Sequence, residues 1–243
     1  MLKVLSLFVV LALLVSGAAA QDTPAIAPQG IEIEAADDLI LVGDFYVQPD
    51  ESAHPTIFLM HQLNSNRHSW STLIPALLEA GYNVLAIDLR GHGDTKGAKD
   101  WPAATVDVQT WLDWLREQPN VQGDSIAIIG ASIGSNLALV GCANDETCVT
   151  AIALSPGLDY FGVKPETAIT DGLRKRSALL VAAQSDMESA NGVKQMAAAA
   201  KGDIGLRLYP GASHGTSLLS SAKTATSLTT LILDWLNEHL PQA

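Results

Sequence analysis

A serine between two glycines is the first feature of this chain that could carry chemistry. Ser132 stands in Gly130-x-Ser132-x-Gly134, after an apolar run at residues 126–129 and before a helix-forming run at residues 136–140. Such glycines allow a sharp turn from strand to helix, which holds the serine hydroxyl clear of the backbone. The pattern alone is weak, since a glycine-flanked turn whose serine caps a helix would look the same. The strand and helix around it favour a nucleophile.

A serine hydroxyl needs a base to remove its proton, usually a histidine that a carboxylate orients. His214 lies in a loop of small residues after the last predicted strand, and Asp186 follows an earlier strand, with Glu188 in reserve. Taken singly, His214 would be a surface histidine and Asp186 a helix-capping acid. The order Ser, Asp, His at the ends of three strands favours catalysis.

The N-terminal segment has the features of a secretory signal peptide. Lys3 precedes an apolar run at residues 4–15, and the small residues 18–20 fit cleavage after Ala20. The run is shorter than the ~20 apolar residues of a spanning helix, so an uncleaved anchor is the less favoured alternative. We therefore assign residues 1–20 to a signal peptide. We expect a secreted or periplasmic protein, with no membrane association in the mature form.

Composition narrows the classes of partner. The 243 residues are 48% hydrophobic, which is enough for one sizeable core. The formal net charge of −12 becomes −13 when Lys3 is removed with the signal peptide. This acidic balance argues against nucleic acid and anionic membranes as partners. Nothing in the sequence indicates the oligomeric state.

The two cysteines, Cys142 and Cys148, lie close together in the chain. In an exported protein an even pair at this spacing predicts a disulfide across a loop. Two free buried thiols are the alternative. A metal site is not expected, because no His or further Cys lies nearby and no ligand spacing such as H-E-x-x-H or C-x-x-C occurs.

Strands alternate with helices along most of the chain. An opening antiparallel hairpin is predicted at residues 31–34 and 39–47. The alternation that follows predicts a mostly parallel sheet with helices on both faces. We predict strands at 56–61, 82–88, 125–129, 150–154, 177–183 and 205–209, and helices at 69–80, 103–118, 136–140, 188–200 and 222–240.

The domain organisation is simple. Residues 21–30 hold two prolines and small residues, and are expected to form an exposed lead-in. Residues 31–243 form a single predicted domain, without internal repeats or a second-domain linker. The one irregular insertion, residues 155–176, follows a strand and is expected to form a small lid over the C-terminal edge of the sheet.

These features together resemble the α/β-hydrolase fold, over essentially all of residues 31–240. The matching motifs are the turn at residues 130–134, the segment 88–93 (Asp-Leu-Arg-Gly-His-Gly) after the second buried strand, and Ser-His-Gly at 213–215. The chain is similar to compact esterases and dienelactone-hydrolase-like members, which lack a large cap domain. The resemblance implies that Ser132 is the nucleophile, Asp186 the acid and His214 the base, and that no cofactor is needed.

The resemblance also implies an oxyanion hole. Its donors are the backbone N–H groups of Ile133 and, in the loop after the first buried strand, of Leu63. The family often has His-Gly in this loop, whereas this chain has Gln62, which lacks the backbone freedom of glycine. The Gln62 side chain is then expected to reach the substrate. Tyr160 and Phe161 are expected to line the acyl pocket. The alternative is that they form the core of the lid.

Other polar residues near these loops are interpreted as structural. We expect Asp88, Arg90 and His92 to brace their loop through an ion pair and hydrogen bonds. His61 is expected to fix its own loop rather than to transfer protons.

The expected function is hydrolysis of small to medium carboxylic esters through an acyl-enzyme, with a small-molecule ester as the partner. An exported peptidase or amidase is an alternative, because esters and amides need the same catalytic groups. The second alternative belongs to another class: a binding protein that retains the fold without activity.

Overall fold

The computed structural model describes residues 26–173 and 176–240. Within these ranges, eight strands form a single sheet. In chain order they are β1 (Gln29–Glu34), β2 (Ile40–Tyr46), β3 (His54–Met60), β4 (Asn83–Ile87), β5 (Val121–Ala131), β6 (Cys148–Leu154), β7 (Ser177–Ala183) and β8 (Asp203–Tyr209).

Six α-helices connect or follow these strands in the described part of the chain. They are α1 (Ile74–Glu79), α2 (Trp101–Arg116), α3 (Ile133–Asn144), α4 (Met187–Ala199), α5 (Ser217–Ser220) and α6 (Ala225–His239). A 3₁₀ turn precedes α1 at Arg67–Trp70, and a π-helical turn lies at Ala168–Gly172.

The spatial order of the strands is β1-β2-β4-β3-β5-β6-β7-β8. β1 pairs antiparallel with β2, and β2 antiparallel with β4, which confirms the predicted opening hairpin. All pairings from β4 to β8 are parallel, so the predicted mostly parallel sheet is also confirmed. The carboxyl ends of these six strands therefore meet at one edge of the sheet.

Helices cover both faces of the sheet. Neighbouring residues of a strand point to opposite faces, so Phe58 packs on the side of α2, α3 and α4, while Leu59 packs on the side of α1, α5 and α6. Both side chains are fully buried. The buried runs of the central strands thus explain why the sequence predicted them as strands with both faces covered.

The helix predicted at residues 69–80 is divided. The 3₁₀ turn ends at Trp70, and α1 begins at Ile74 with Pro75 in its first turn. Proline has no N–H to donate and is tolerated only at the start of a helix, so the helix begins there. The closing helix predicted at residues 222–240 is present as α6, and the short helix α5 lies before the predicted range.

The disulfide between Cys142 and Cys148 is present, with the two Cα atoms 5.1 Å apart. It joins the end of α3 to the first residue of β6. Arg176 donates hydrogen bonds to the carbonyl oxygens of both cysteines, at 2.5 and 3.1 Å. These contacts hold the C-terminal end of α3, whose first residue follows Ser132 directly.

The predicted signal peptide at residues 1–20 lies outside the described residues, as do residues 174 and 175 of the predicted lid. Residues 27–30 of the lead-in are exposed, but the last two of them already belong to β1. Across residues 26–173 and 176–240, we find no helix with the length and apolar character needed to cross a membrane.

Candidate active site

The turn after β5 holds Ser132 in an unusual backbone conformation. Its φ is 52° and its ψ −121°, and its N–H donates to the carbonyl of Leu154 at 2.8 Å. A Cβ on Gly130 would overlap the carbonyl group of Gly134, and a Cβ on Gly134 would overlap that of Met60. Both glycines are therefore required for the close approach of α3 to the ends of β5 and β3.

A continuous chain of hydrogen bonds runs from Ser132 to Asp186. Nε2 of His214 lies 2.8 Å from Oγ of Ser132, and Nδ1 lies 2.6 Å from Oδ2 of Asp186. An ionised carboxylate only accepts hydrogen bonds, so Nδ1 carries the hydrogen and Nε2 accepts from the serine hydroxyl. The His214 side chain is 40% exposed and that of Asp186 15% exposed. The structure thus brings these three predicted residues together, with the imidazole open to solvent.

Neighbouring strand ends hold the His214 loop. Gly215 donates its N–H to Oγ of Ser155 at 3.0 Å, and Ser185 donates its N–H to the carbonyl of Gly211 at 2.8 Å. Ser155 follows β6 directly, and its φ of 56° turns the chain away from the sheet. The loops after β6, β7 and β8 therefore support one another around the imidazole.

The Gln62 side chain fills a place between two loops. Its Oε1 accepts hydrogen bonds from N–H and Oγ–H of Thr216, at 2.8 and 2.9 Å. The amide oxygen thus binds the loop that carries His214. The predicted contact of Gln62 with a substrate stays a prediction.

Two residues at the same sheet edge as Ser132 have backbone N–H groups without a hydrogen-bond partner among the described residues. Ile133 is the first residue of α3, where helical N–H groups have no partner within the helix. Within the described residues the N–H of Leu63 makes no hydrogen bond either. The contact between Gly134 and Met60 places the start of α3 against the end of β3. Two free donors at this edge are what an oxyanion hole requires, and this role of Ile133 and Leu63 stays a prediction.

The loops after β3 and β4 contain a second Asp–His cluster. Asp88 is buried, forms an ion pair with Arg67 and accepts the Arg67 N–H at 2.7 Å. His61 donates from Nδ1 to the carbonyl of Gln62 at 2.7 Å and accepts at Nε2 from the N–H of Leu89 at 3.0 Å. Burial lowers the pKa of His61 to about 4. The polar atoms of Asp88 and His61 thus bind groups of the surrounding loops, in agreement with the structural interpretation.

The expected brace around Arg90 has other partners than the neighbouring Asp88. Arg90 forms ion pairs with Asp107 of α2, at 2.6 Å, and with Asp37, at 2.9 Å. His92 donates from Nδ1 to the Arg90 carbonyl at 3.1 Å. These contacts fasten the β4 loop to α2 and to the β1–β2 turn.

The insertion after β6 divides into two parts. Its first part carries a tight turn in which Tyr160 bridges to Val163, and the Tyr160 ring lies 6.5 Å from the His214 ring. Phe161, which is 56% exposed, stacks on Trp101 with 5.3 Å between ring centroids. The second part, the turn at Ala168–Gly172, packs against α3 and α4. The roles predicted for Tyr160, Phe161 and a lid stay predictions.

Several supporting residues were missed by the sequence interpretation. Ser155 could have been noticed as a polar residue at the end of a buried strand, like Ser132 itself. Arg67 and Thr216 carry no local signal, because their partners are distant in the chain. Within the described ranges there is no group of three or more His, Cys, Asp or Glu side chains able to hold a metal ion.

Comparison with known proteins agrees with this architecture. Residues 55–197 match the family model of the alpha/beta hydrolase fold. YfhR of Salmonella typhimurium is 30% identical over 124 residues, which is 46% of this chain and 42% of that protein. The chain thus spans about two fifths of the length of the curated relatives that it matches first.

Solved structures share the fold at low sequence identity. The esterase Pf2001 of Pyrococcus furiosus superposes with a TM-score of 0.77 at 18% identity, over 92% of this chain and 98% of that one. A dienelactone hydrolase from Anabaena variabilis gives a TM-score of 0.71 at 20% identity, over 88% of this chain and 100% of its own. The fold and the match over more than half of the sequence lead to one conclusion: this chain belongs to the alpha/beta hydrolase fold family.

Proposed function

We propose that this protein is a serine hydrolase that cleaves small to medium carboxylic esters. Ser132 is the nucleophile, His214 the base, and Asp186 the acid that orients the imidazole. The observation that carries the proposal is the hydrogen-bond chain of 2.8 and 2.6 Å through the two nitrogens of His214. The esterases among the structural neighbours support hydrolysis as the reaction class.

The first half of the reaction forms an acyl-enzyme. His214 Nε2 accepts the proton of Ser132 as Oγ attacks the ester carbonyl carbon. Asp186 stabilises the imidazolium and keeps Nδ1 protonated. The N–H groups of Ile133 and Leu63 bind the oxyanion; the loss of one such donor typically costs ~10²–10³ in rate. The C–O bond to the alcohol then breaks, and Nε2 returns the proton to the departing oxygen.

The second half repeats these steps with water. His214 takes a proton from a water molecule, whose oxygen attacks the acyl carbon attached to Ser132 Oγ. The same two N–H groups bind the second oxyanion, and the carboxylic acid leaves as Oγ recovers its proton from Nε2. The exposed position of His214 supports this step, since water reaches the imidazole without any opening of the protein. No step needs a cofactor.

Hydrolysis of p-nitrophenyl acetate and p-nitrophenyl butyrate by the wild type and by Ser132→Ala tests the proposal. We expect kcat/KM to fall by roughly 10⁴-fold or more in the variant, with unfolding temperature unchanged. Ser52→Ala is the matched control, because Ser52 is exposed in the β2–β3 turn at the opposite edge of the sheet. Equal rates in wild type and Ser132→Ala would remove the proposal.

Labelling with a fluorophosphonate probe tests the non-catalytic alternative. Only a serine whose proton can be withdrawn reacts with the probe. We expect labelling of the wild type and none of Ser132→Ala or of His214→Asn. A wild-type protein that stays unlabelled would favour the binding protein.

We further propose that the protein is exported and loses residues 1–20. The disulfide between Cys142 and Cys148 supports this, because structural disulfides persist in oxidising compartments. N-terminal sequencing of the protein secreted by an expressing cell is expected to begin at Gln21. Recovery of the full-length chain from the cytoplasm alone would contradict export.

A further inference from the structure

The Tyr160 hydroxyl lies beside the proposed catalytic groups and has no role in the mechanism so far. The ring meets the imidazole of His214 edge to face, at 6.5 Å between centroids. The hydroxyl lies 3.4 Å from the carbonyl oxygen of Ser155, the residue whose Oγ holds the His214 loop through Gly215. Tyr160 thus stands on the imidazole side of the site, whereas the free N–H groups of Ile133 and Leu63 belong to the start of α3 and the β3 loop.

The phenol hydrogen is weakly held. The hydroxyl lies 3.4 Å from the carbonyl oxygen of Ser155 and 3.2 Å from Oγ of Ser189. Both distances exceed the ~2.7–2.8 Å of a normal O–H···O hydrogen bond. Burial, together with the nearby carboxylates of Glu188 and Asp186, raises the pKa of Tyr160, so the group keeps its proton. It is a neutral donor that can turn to a better acceptor.

The turn that carries Tyr160 is rigidly attached to the scaffold. The buried amide of Asn136, on α3, donates to the carbonyls of Gly157 and Val163 at 3.0 and 2.8 Å, and accepts the Gly157 N–H at 3.1 Å. A Cβ on Gly157 would overlap the Tyr160 ring, so the ring packs directly on the backbone. The phenol is therefore positioned before any substrate arrives, as an effective donor must be.

We propose that the Tyr160 hydroxyl donates a hydrogen bond to the leaving-group oxygen of the ester, and so widens the range of alcohols that the site releases. The inference rests on the proposed function. The leaving oxygen must face Nε2 of His214, because that atom returns the proton to it. The Tyr160 ring packs against that imidazole, so its hydroxyl lies on the side of the site where the leaving oxygen must be. Tyr160 keeps its proton, and its hydrogen bond stabilises the negative charge that develops as the C–O bond breaks.

The role predicts a dependence on the basicity of the alcohol. A p-nitrophenolate ion is a weak base that needs little help to leave, whereas ethoxide is a strong base. We therefore expect Tyr160→Phe, which removes only the hydroxyl, to lower kcat/KM for ethyl acetate by roughly 10- to 100-fold. For p-nitrophenyl acetate, which has the same acyl group, we expect a loss below about threefold.

The test compares wild type, Tyr160→Phe and Tyr46→Phe on a series of acetate esters of increasing leaving-group pKa. Tyr46 is a half-buried tyrosine on β2 and serves as the matched control, with an unchanged slope expected. The slope of log kcat/KM against leaving-group pKa does not depend on the fraction of folded enzyme, so it remains readable if the variant is less stable. A steeper slope in Tyr160→Phe is expected.

The outcomes separate this inference from the proposed function. An unchanged slope, with any uniform loss of rate, would overturn the role of Tyr160 and leave the serine hydrolase intact. An absence of hydrolysis by the wild type over the whole series would overturn both.

Discussion

Two Asp–His clusters lie at the same edge of the sheet and differ in how their hydrogen bonds are used. In the loops after β3 and β4, both ring nitrogens of His61 bind backbone groups and Asp88 is paired with Arg67. In the loops after β7 and β8, one nitrogen of His214 binds a carboxylate and the other a serine hydroxyl. His61 is fully buried, whereas the His214 side chain is 40% exposed.

The difference shows what separates a structural histidine from one able to move protons. Burial lowers the pKa of His61 to about 4, which keeps its ring neutral at physiological pH. An acid–base residue needs the opposite: a counterion for its charged form and a free path to a reacting group. Residue type and position at a strand end do not distinguish the two cases. The partners of the two nitrogens do.

The largest expected effect comes from exchanging each histidine in turn. His214→Asn is expected to lower kcat/KM for p-nitrophenyl acetate by roughly 10⁴-fold or more, since no other base in the described part of the chain is hydrogen-bonded to Ser132 Oγ. His61→Asn is expected to lower it by at most about 10-fold and to reduce stability instead, because both nitrogens hold loops. Steady-state kinetics and urea unfolding of both variants measure the contrast. Similar losses of activity would remove the distinction between the clusters.

The carboxylates provide the next comparison. Asp186→Asn is expected to lower kcat/KM by roughly 10³–10⁴-fold, because an amide no longer holds Nδ1–H or stabilises the imidazolium. Glu188→Gln is the matched control, two residues further along and in the first turn of α4. It is expected to retain activity within about threefold, since Asp186 is the residue that binds His214. A greater loss of activity in Glu188→Gln than in Asp186→Asn would assign the role of the acid to Glu188.

Removing Arg67 tests the structural cluster alone. Arg67→Met leaves Asp88 buried without its cation and near the carboxylates of Asp44 and Asp94, which the same guanidinium binds. We expect a loss of about 3 kcal/mol in the free energy of unfolding, as for other broken buried ion pairs. Arg207→Met, which changes an exposed residue of the edge strand β8, is expected to cost under about 1 kcal/mol. Equal losses in the free energy of unfolding for the two variants, measured by urea unfolding, would show that the Arg67–Asp88 ion pair does not stabilise the fold.

The smallest effect is a dependence of stability on pH. The folded pKa of His61 is about 4, below its ordinary value of 6.5. The unfolded chain therefore binds a proton at this residue before the folded chain does, and stability falls as pH drops from about 6.5 to 4. The contribution reaches at most about 3 kcal/mol. We expect His61→Gln to show a shallower decline than wild type in urea unfolding between pH 7 and 4.5. Parallel curves would contradict the burial of a neutral ring.

The sequence was sufficient for the sheet and for the convergence of the proposed catalytic residues. Apolar runs such as residues 126–129 marked the buried strands, and parallel strands bring their carboxyl ends together whatever the loops contain. The positions of Ser132, Asp186 and His214 followed from that topology. Local rules were enough because each residue stands immediately after a strand or in the loop that follows it.

Contacts between segments that are distant in the chain could not be predicted from the sequence. Arg67 binds Asp88 across 21 residues, and Gln62 binds Thr216 across 154. No periodicity or turn signal joins such pairs, since the fold alone makes them neighbours. The missing glycine at position 62 could be seen in the sequence, but its physical reason could not: the side chain supports another loop.

The hydrogen bonds between Gln62 and Thr216 have a consequence for how these two positions change during evolution. Glycine at position 62 would leave both the backbone N–H and the hydroxyl of Thr216 without this acceptor, and a residue without a hydroxyl at 216 would remove one of the two unpaired donors. Substitutions at 62 and 216 are therefore expected to be epistatic, each tolerated mainly in the presence of the other. Lineages of this fold that differ at one of these positions should differ at both.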